Sequence, residues 1–186
     1  MTIGFALCGS FCTYHKVFPI MEFLTRDYHL IPIISENGKT IDCRFGTGKE
    51  HIQLITEICG HEPLQTLVEV EPIGPKKTLD ALIIAPCTGN TLAKLAHGIA
   101  DGPVTMAAKS HLRNGRPLII AVSTNDALGA AAENIGKLLA RKHIYFVPFG
   151  QDDPKGKPTS MVADFSKIPL ALEAALEGQQ VQPVIL

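Results

Sequence analysis

The chain has 186 residues, of which 46% are hydrophobic and 19% are charged, and its formal net charge is −1 at pH 7. This composition is typical of a globular protein with one sizeable core. It excludes a disordered chain and a strongly basic binder of nucleic acid or anionic membranes. No apolar run is long enough to cross a bilayer, and the apolar N-terminus lacks the basic flank of a signal peptide.

The cysteines indicate a reducing compartment. There are five of them, an odd number, and no two form a CxxC pair. We therefore expect a cytoplasmic protein without structural disulfides.

Short apolar runs alternate with segments of helical periodicity along the whole chain. The runs predict buried strands over Thr2–Leu7, Tyr28–Ile34, Leu64–Val70, Leu79–Ala85, Pro117–Val122 and Ile144–Pro148. Helical spacing predicts helices over Phe11–Asp27, over Leu92–Ile99, over Val104–Arg113 and over Ser166–Glu177. Two more are predicted: one opens with Phe45-Gly46-Thr47-Gly48 and runs to about Cys59, and one follows Asp126 and runs to about Lys142. Ser35–Lys39 is predicted to be a polar turn. This order predicts a single α/β domain over residues 1–186. Its doubly wound, Rossmann-like parallel sheet carries helices on both faces.

One charged segment near the C-terminus interrupts this pattern. Gly150–Ser160 combines aspartates, lysines, glycines and prolines. We expect a mobile loop over about residues 148–162, either a lid over a site or a solvated connection. A C-terminal helix follows it.

Three polar turns each follow a predicted strand. The first is Gly9-Ser10, in a strand–glycine–helix order that suits a phosphate, although no GxGxxG fingerprint is present. Gly9 alternatively serves only the backbone.

The central turn reads Pro86-Cys87-Thr88-Gly89-Asn90-Thr91 and leads directly into a helix. Free N–H groups and the partial positive charge of a helix N-terminus favour an anion there. Capping by Thr88 or Asn90 accounts for one such residue, but poorly for the whole set.

The third turn reads Ser123-Thr124-Asn125-Asp126. Asn125 or Asp126 is a plausible N-cap. Because the carboxyl ends of parallel strands share one edge of a sheet, the three turns together favour a common ligand site.

His51 is the candidate for proton transfer, since it lies in the first turn of a predicted helix and histidine titrates near neutral pH. The alternative is a histidine used in packing or exposed to solvent.

These pieces, in this order, carry a family resemblance. Gly9-Ser10 with Tyr14, the segment APCTGNT with Lys94 and Asp101, and Asn125 together resemble the flavoprotein family of homo-oligomeric flavin-containing cysteine decarboxylases. The resemblance implies bound FMN, its phosphate at the first and central turns, and trimer-based self-association. The cofactor residues it implies are Gly9, Ser10, Cys12, Thr47, Pro86, Cys87, Thr88, Asn90, Thr91, Ser123, Thr124 and Asn125.

The chain departs from that family at two places. The family's Pro-x-Met-Asn-type motif is replaced by Val122-Ser123-Thr124-Asn125, which keeps only the asparagine. Residues 148–186 contain no cysteine, where the decarboxylases carry a reactive one. Both departures disfavour a decarboxylase acting alone.

A closer likeness within the family rests on GSFCTYHK, SENGKTIDCRFGTGKEH and VSTNDALG. It implies an oxidoreductase subunit that works on a small dicarboxylate together with a separate partner subunit. Two carboxylates need cationic or N–H-rich partners, and the nearest candidates are His15, Lys16, Lys49 and His51. A non-catalytic scaffold with a vestigial flavin pocket stays open as an alternative.

Overall fold

Seven strands form one sheet in the computed structural model, which describes all 186 residues. They are β1 (Thr2–Leu7), β2 (His29–Ile34), β3 (Ala81–Cys87), β4 (Leu118–Thr124), β5 (Ile144–Phe146), β6 (Phe149–Gln151) and β7 (Met161–Ala163).

The first five strands make the parallel core that the alternating pattern predicts. β1 pairs with β2 on one side and β3 on the other, β3 pairs with β4, and β5 pairs with the first half of β4. The chain therefore leaves β1 in one direction to reach β2 and returns on the other side as β3. The resulting switch point lies between the carboxyl ends of β1 and β3.

Nine helices cover the sheet. They are α1 (Tyr14–Leu24), α2 (Glu36–Thr40), α3 (Gly48–Cys59), α4 (Leu67–Val70), α5 (Ile73–Lys76), α6 (Gly89–His97), α7 (Pro103–Leu112), α8 (Ala131–Leu139) and α9 (Ile168–Leu176). Short 3₁₀ turns at Phe11–Thr13 and Phe165–Lys167 lead into α1 and α9. α1 and α9 pack together on the sheet, while α7 packs on it with α4, α5 and α6. These elements confirm the predicted α/β architecture.

The central strand explains why the sheet is stable in this order. Every residue of β3 is buried, because strands stand on both of its edges and helices on both of its faces. Burial of each large apolar side chain of this strand contributes roughly 1.5–3 kcal/mol to the stability of the folded protein. Because β3 is buried on all sides, the polar turn that follows it is held in place.

Two short segments differ from their predictions. The strand expected over Leu64–Val70 is wrong: α4 occupies Leu67–Val70, because Thr66 and Glu69 form a reciprocal capping box at its start. The polar turn expected over Ser35–Lys39 is instead the N-cap and body of α2, since the Ser35 hydroxyl accepts the Gly38 N–H.

The loop expected over residues 148–162 is shorter than predicted. β6 and β7 form an antiparallel hairpin, and β7 pairs antiparallel with Ser123 and Thr124 at the end of β4. Only residues 152–160 connect the two strands. The sheet is thus parallel in its core and antiparallel in this hairpin, which lies next to the third polar turn.

None of the helices has the length and apolar character needed to cross a membrane. All five cysteines are free thiols.

Candidate functional site

The switch point opens into a cleft of about 240 Å³. Its lining comes from the ends of β1 and β3, from α2, and from the first turns of α6 and α7; we call it the switch-point cleft. The lining residues used below are Gly9, Asn37, Thr88, Asn90, Thr91, Lys94, Asp101 and Gly102.

The N-terminus of α6 forms one wall of this cleft. Thr88 is the N-cap, and its side chain accepts the Thr91 N–H. Gly89 and Asn90 then occupy the first two helical positions, where no carbonyl of the helix accepts their N–H groups. The sequence allowed either Thr88 or Asn90 to cap this helix. Thr88 is the cap, because the exposed Asn90 side chain makes no hydrogen bond.

A buried contact holds this turn against β1. The Thr91 hydroxyl donates to Cys8 Sγ at 3.3 Å and lies 3.1 Å from the Thr88 hydroxyl oxygen. Burial raises the pKa of the Cys8 thiol to about 11, despite the opposing effect of the Thr91 hydrogen bond. Cys8 is therefore a neutral thiol near pH 7, and the Thr91 hydroxyl is committed to fixing the turn.

The opposite wall depends on the small size of Gly9. A Cβ placed at Gly9 would lie 3.3 Å from Cβ of Asn37 and 3.6 Å from the Phe11 ring. The N-terminus of α7, capped by Gly102, also borders the cleft. Two helix N-termini therefore direct partial positive charge into one narrow space.

Charged side chains at the rim of the cleft are already paired. Of the lining residues, Lys94 has its Nζ 2.8 Å from Asp101 Oδ1, and Glu36 has its Oε2 3.0 Å from Nζ of Lys39, which lies outside the lining. The groups left for a ligand are backbone N–H donors and the Asn90 amide, because the Thr88 hydroxyl donates its one proton to Thr91 Oγ1. This donor set, with the space left by Gly9, fits a phosphate group such as that of FMN.

A second recess of about 590 Å³ lies beside the β6–β7 hairpin; we call it the hairpin pocket. The residues used below are Ser10, Cys12, His15, Lys16, Ser123, Thr124, Asn125, Asp152, Lys157, Ser160 and Asp164. It meets the switch-point cleft at Gly9-Ser10, where the Ser10 and Ser123 hydroxyl oxygens lie 2.8 Å apart. A Cβ at Gly89 would come within 2.8 Å of Thr124 Oγ1, which shows how closely the central and third turns approach.

His51 lies in a third recess, an aromatic groove between α1 and α3 lined in part by Phe11, Tyr14, Phe45 and Leu54. The imidazole is 3% exposed, stacks on Phe11 and meets Tyr14 edge-on. Its Nε2 lies 3.3 Å from the Phe45 carbonyl oxygen, and its buried Nδ1 has no hydrogen-bond partner. His15 lines both this groove and the hairpin pocket, so the two recesses are neighbours.

The predicted site residues therefore divide into three groups. Gly9, Thr88, Asn90 and Thr91 line the switch-point cleft, while Ser10, Cys12, Ser123, Thr124 and Asn125 line the hairpin pocket. The remaining three, Pro86, Cys87 and Thr47, line neither recess.

Those three residues have structural partners. Pro86 and Cys87 are buried in β3, and burial holds the pKa of the Cys87 thiol well above its usual range. Thr47 caps α3 through a capping box with Glu50. A direct cofactor role for these three stays a prediction. Asn125 and Asp126 are not the N-cap of α8, which is Ala130; the Asp126 carboxylate instead accepts the Ala130 N–H.

Sequence reasoning missed several lining residues. Gly102-Pro103 carries a recognisable helix-start signature, but nothing local connects it to the central turn. Lys157 and Ser160 reach the hairpin pocket only because β7 pairs with the end of β4.

Comparison with known proteins agrees with this geometry. Residues 1–167 match the sequence model of the Flavoprotein family. The chain belongs to the Flavoprotein family.

Among relatives in this family, the B subunit of dipicolinate synthase from Bacillus subtilis (strain 168) is 46% identical over 185 residues, which cover 99% of this chain and 92% of the relative. The crystal structure of the B subunit of dipicolinate synthase from Bacillus halodurans superposes with a TM-score of 0.91 at 47% identity. That match covers 100% of this chain and 95% of the other.

A more distant flavoprotein shares the fold. DmrB from Burkholderia xenovorans, a cubic protein cage for redox transfer solved in complex with FMN, superposes with a TM-score of 0.71 at 15% identity. The match covers 95% of each chain. At this identity the likeness concerns the architecture alone.

Proposed function

We propose that this chain is an FMN-binding subunit that acts with a dipicolinate synthase A subunit. In this proposal the complex oxidises a dihydrodipicolinate-type precursor to dipicolinate in the cytoplasm during sporulation. The observation that carries the proposal is a cleft bordered by two helix N-termini at the β1/β3 switch point, in a chain 46% identical to the B subunit of a dipicolinate synthase.

The FMN phosphate is assigned to the switch-point cleft. The N–H groups of Gly89 and Asn90 would donate to its oxygens, and Gly9 leaves the space that it needs. Charge-assisted hydrogen bonds of this kind are about twice as strong as neutral ones. Bound FMN supplies a two-electron acceptor, which is the chemistry that aromatisation of the dihydro ring requires.

His51 is proposed to move a proton in this reaction. An unpartnered polar atom buried in a protein costs about 1–3 kcal/mol, so a retained orphan such as His51 Nδ1 calls for a reason. We expect His51→Phe to lower turnover by roughly 100-fold. FMN affinity should be unchanged, because His51 does not line the switch-point cleft. Equal turnover in the variant and the parent would remove His51 from the reaction.

Two alternatives follow from the same observations. In the first, the chain is a scaffold with a vestigial flavin pocket, and the A subunit, which resembles a nicotinamide-binding protein, takes the hydride. In the second, the chain is a flavin-dependent decarboxylase. The absence of cysteine from residues 148–186 argues against the second.

The reaction itself is the test. The purified chain is loaded with FMN, mixed with the A subunit without oxygen or nicotinamide, and given a dihydrodipicolinate-type precursor. We expect the oxidised-flavin absorption to disappear as dipicolinate forms. Dipicolinate that forms only when a nicotinamide is added, with the flavin spectrum unchanged, would favour the scaffold.

Self-association is part of the proposal. The aromatic groove leaves Phe45 and Leu54 exposed beside Phe18, an apolar surface suited to a contact between copies. We expect a trimer-based assembly, and Leu54→Glu should shift the mass measured by light scattering towards the monomer. Val68→Glu, at an exposed position on α4, is the matched control. An unchanged mass for Leu54→Glu would exclude this surface.

A further inference from the structure

We infer that the hairpin pocket binds a small ring dicarboxylate, with Lys16 and Lys157 each taking one carboxylate. This inference rests on the proposed function and deepens it, because it names two residues that select the substrate class. Lys157 is not among the sequence candidates for this role.

One of the two lysines of this pocket is unpaired. Lys157 lies within 4.0 Å of a carboxylate oxygen, as do Lys39, Lys94, Lys137 and Lys167, but Lys16 forms no ion pair. His15, one residue earlier on α1, makes no hydrogen bond and lines the same pocket. An unpaired ammonium group beside an unpaired imidazole is a suitable counterpart for one carboxylate.

The second lysine, Lys157, forms one long ion pair with a carboxylate of the pocket. Asp164 accepts hydrogen bonds from the backbone N–H and the hydroxyl of Ser166. Asp152 Oδ2 lies 3.7 Å from Lys157 Nζ, beyond hydrogen-bond distance. Lys157 can therefore exchange this weak contact for a ligand carboxylate without breaking a hydrogen bond.

The connection between β6 and β7 holds Lys157 at the pocket. The Thr159 hydroxyl donates to the Asn125 carbonyl oxygen at 2.6 Å, and the Leu128 N–H donates to the Thr159 carbonyl oxygen at 3.0 Å. The Gln151 amide also donates to the Pro158 carbonyl oxygen at 2.8 Å. The two bonds of Thr159 tie the segment next to Lys157 to the turn after β4, so Lys157 lies in the pocket lining.

Size and polarity suit a ring that carries two carboxylates. A volume of about 590 Å³ lies within the usual range of small-molecule sites. Ser123 and Ser160 are almost fully buried in its lining, and Ser10 joins it to the switch-point cleft. Two cations select a dicarboxylate over a monocarboxylate, and the shared Gly9-Ser10 segment places that ligand beside the proposed flavin.

The test is calorimetric titration of dipicolinate into the full-length chain, with and without FMN. Lys16→Met and Lys157→Met should each raise the Kd at least about tenfold, as expected for a lost charge-assisted hydrogen bond. Lys155→Met and Lys142→Met are the controls, because neither lysine lines the pocket. Their Kd values should match the parent.

A second ligand separates ion pairing from a structural effect. Pyridine-2-carboxylate lacks one carboxylate, so the parent should prefer dipicolinate about tenfold or more, and this preference should fall towards one in each pocket variant. Equal affinity of the parent for both ligands, no binding of dipicolinate, or an equal loss in the control variants would overturn the inference. Dipicolinate bound through both lysines by a chain that retains no FMN would support the pocket and refute the flavin proposal. Retention of FMN without dipicolinate binding would support the flavin proposal and refute the hairpin-pocket inference.

Discussion

The switch-point cleft and the hairpin pocket meet at Gly9-Ser10, but different chemical groups provide their positive character. Backbone N–H groups of two helix N-termini supply the positive character of the cleft, and its one lysine, Lys94, is already paired. The pocket instead presents side-chain cations, of which Lys16 has no ionic partner. The cleft should therefore be sensitive to added bulk, whereas the pocket should be sensitive to lost charge.

Gly9→Val should produce the largest difference between the two recesses. The cleft side of Gly9 has no room for a branched side chain, since even a Cβ would lie 3.3 Å from Cβ of Asn37. Overpacking of about 1–3 kcal/mol corresponds to a loss of up to roughly 100-fold in FMN affinity, measured by fluorescence titration.

Dipicolinate affinity in this variant should stay within about twofold of the parent. Gly136→Ala, at a helical position with open space around it, is the control. A comparable loss of both ligands would show that the two recesses form one site.

Acidification should destabilise α7, whose N-terminus borders the switch-point cleft but not the hairpin pocket. Burial lowers the pKa of His111 on α7 to about 4, although the Pro117 carbonyl bound to its Nε2 opposes the shift. The unfolded chain binds this proton near its ordinary pKa of 6.5, so stability is present above that pH and is lost as the pH falls towards 4.

We expect a loss of about 2 kcal/mol in the free energy of unfolding between pH 7 and pH 4.5 from this group. Urea unfolding at the two pH values measures it. His111→Gln keeps a donor for the Pro117 carbonyl and should remove most of the difference. An unchanged pH dependence in that variant would show that His111 is not its source.

Asn90→Ala tests whether the exposed amide in the cleft serves a ligand. Its side chain makes no hydrogen bond within the protein, so the melting temperature should not change. FMN affinity should fall about tenfold if the amide donates to the phosphate. Asn134→Ala on α8 is the control, and identical FMN affinity in Asn90→Ala and the parent would remove this side chain from the site.

The hydroxyl contact between the first and third turns, inside the hairpin pocket, should give the smallest effect. Ser10→Ala and Ser123→Ala each remove one partner of the 2.8 Å hydroxyl contact, at a cost of about 1 kcal/mol. That corresponds to a drop of roughly 2–4 °C in melting temperature. The double variant should lose little more stability than either single variant. Fully additive losses of stability would mean that the two hydroxyls act independently.

Local signals explain how much of the fold the sequence reveals. Each parallel strand is an apolar run followed by a polar turn and a helix, so β1, β3 and β4 and their turns are visible from neighbouring residues. The wrong strand at Leu64–Val70 shows the limit: its apolar content outweighed the Thr66–Glu69 capping box, which was present in the sequence.

The division of the candidate site into two recesses could not be predicted in the same way. It depends on β7 pairing with the end of β4, which brings Lys157 and Ser160 to the same pocket as Lys16. A hairpin that adds to a sheet edge leaves little local pattern, and here its two strands have three residues each. The sequence of the charged segment between them therefore predicts an ordinary loop.

The central claim is that the switch-point cleft holds a phosphate. The most direct test adds FMN or riboflavin, which has the same ring system without the phosphate, to the purified chain and records the visible spectrum after desalting. We predict that FMN is retained and riboflavin is lost. Equal retention of the two flavins, or retention of neither, would contradict the account.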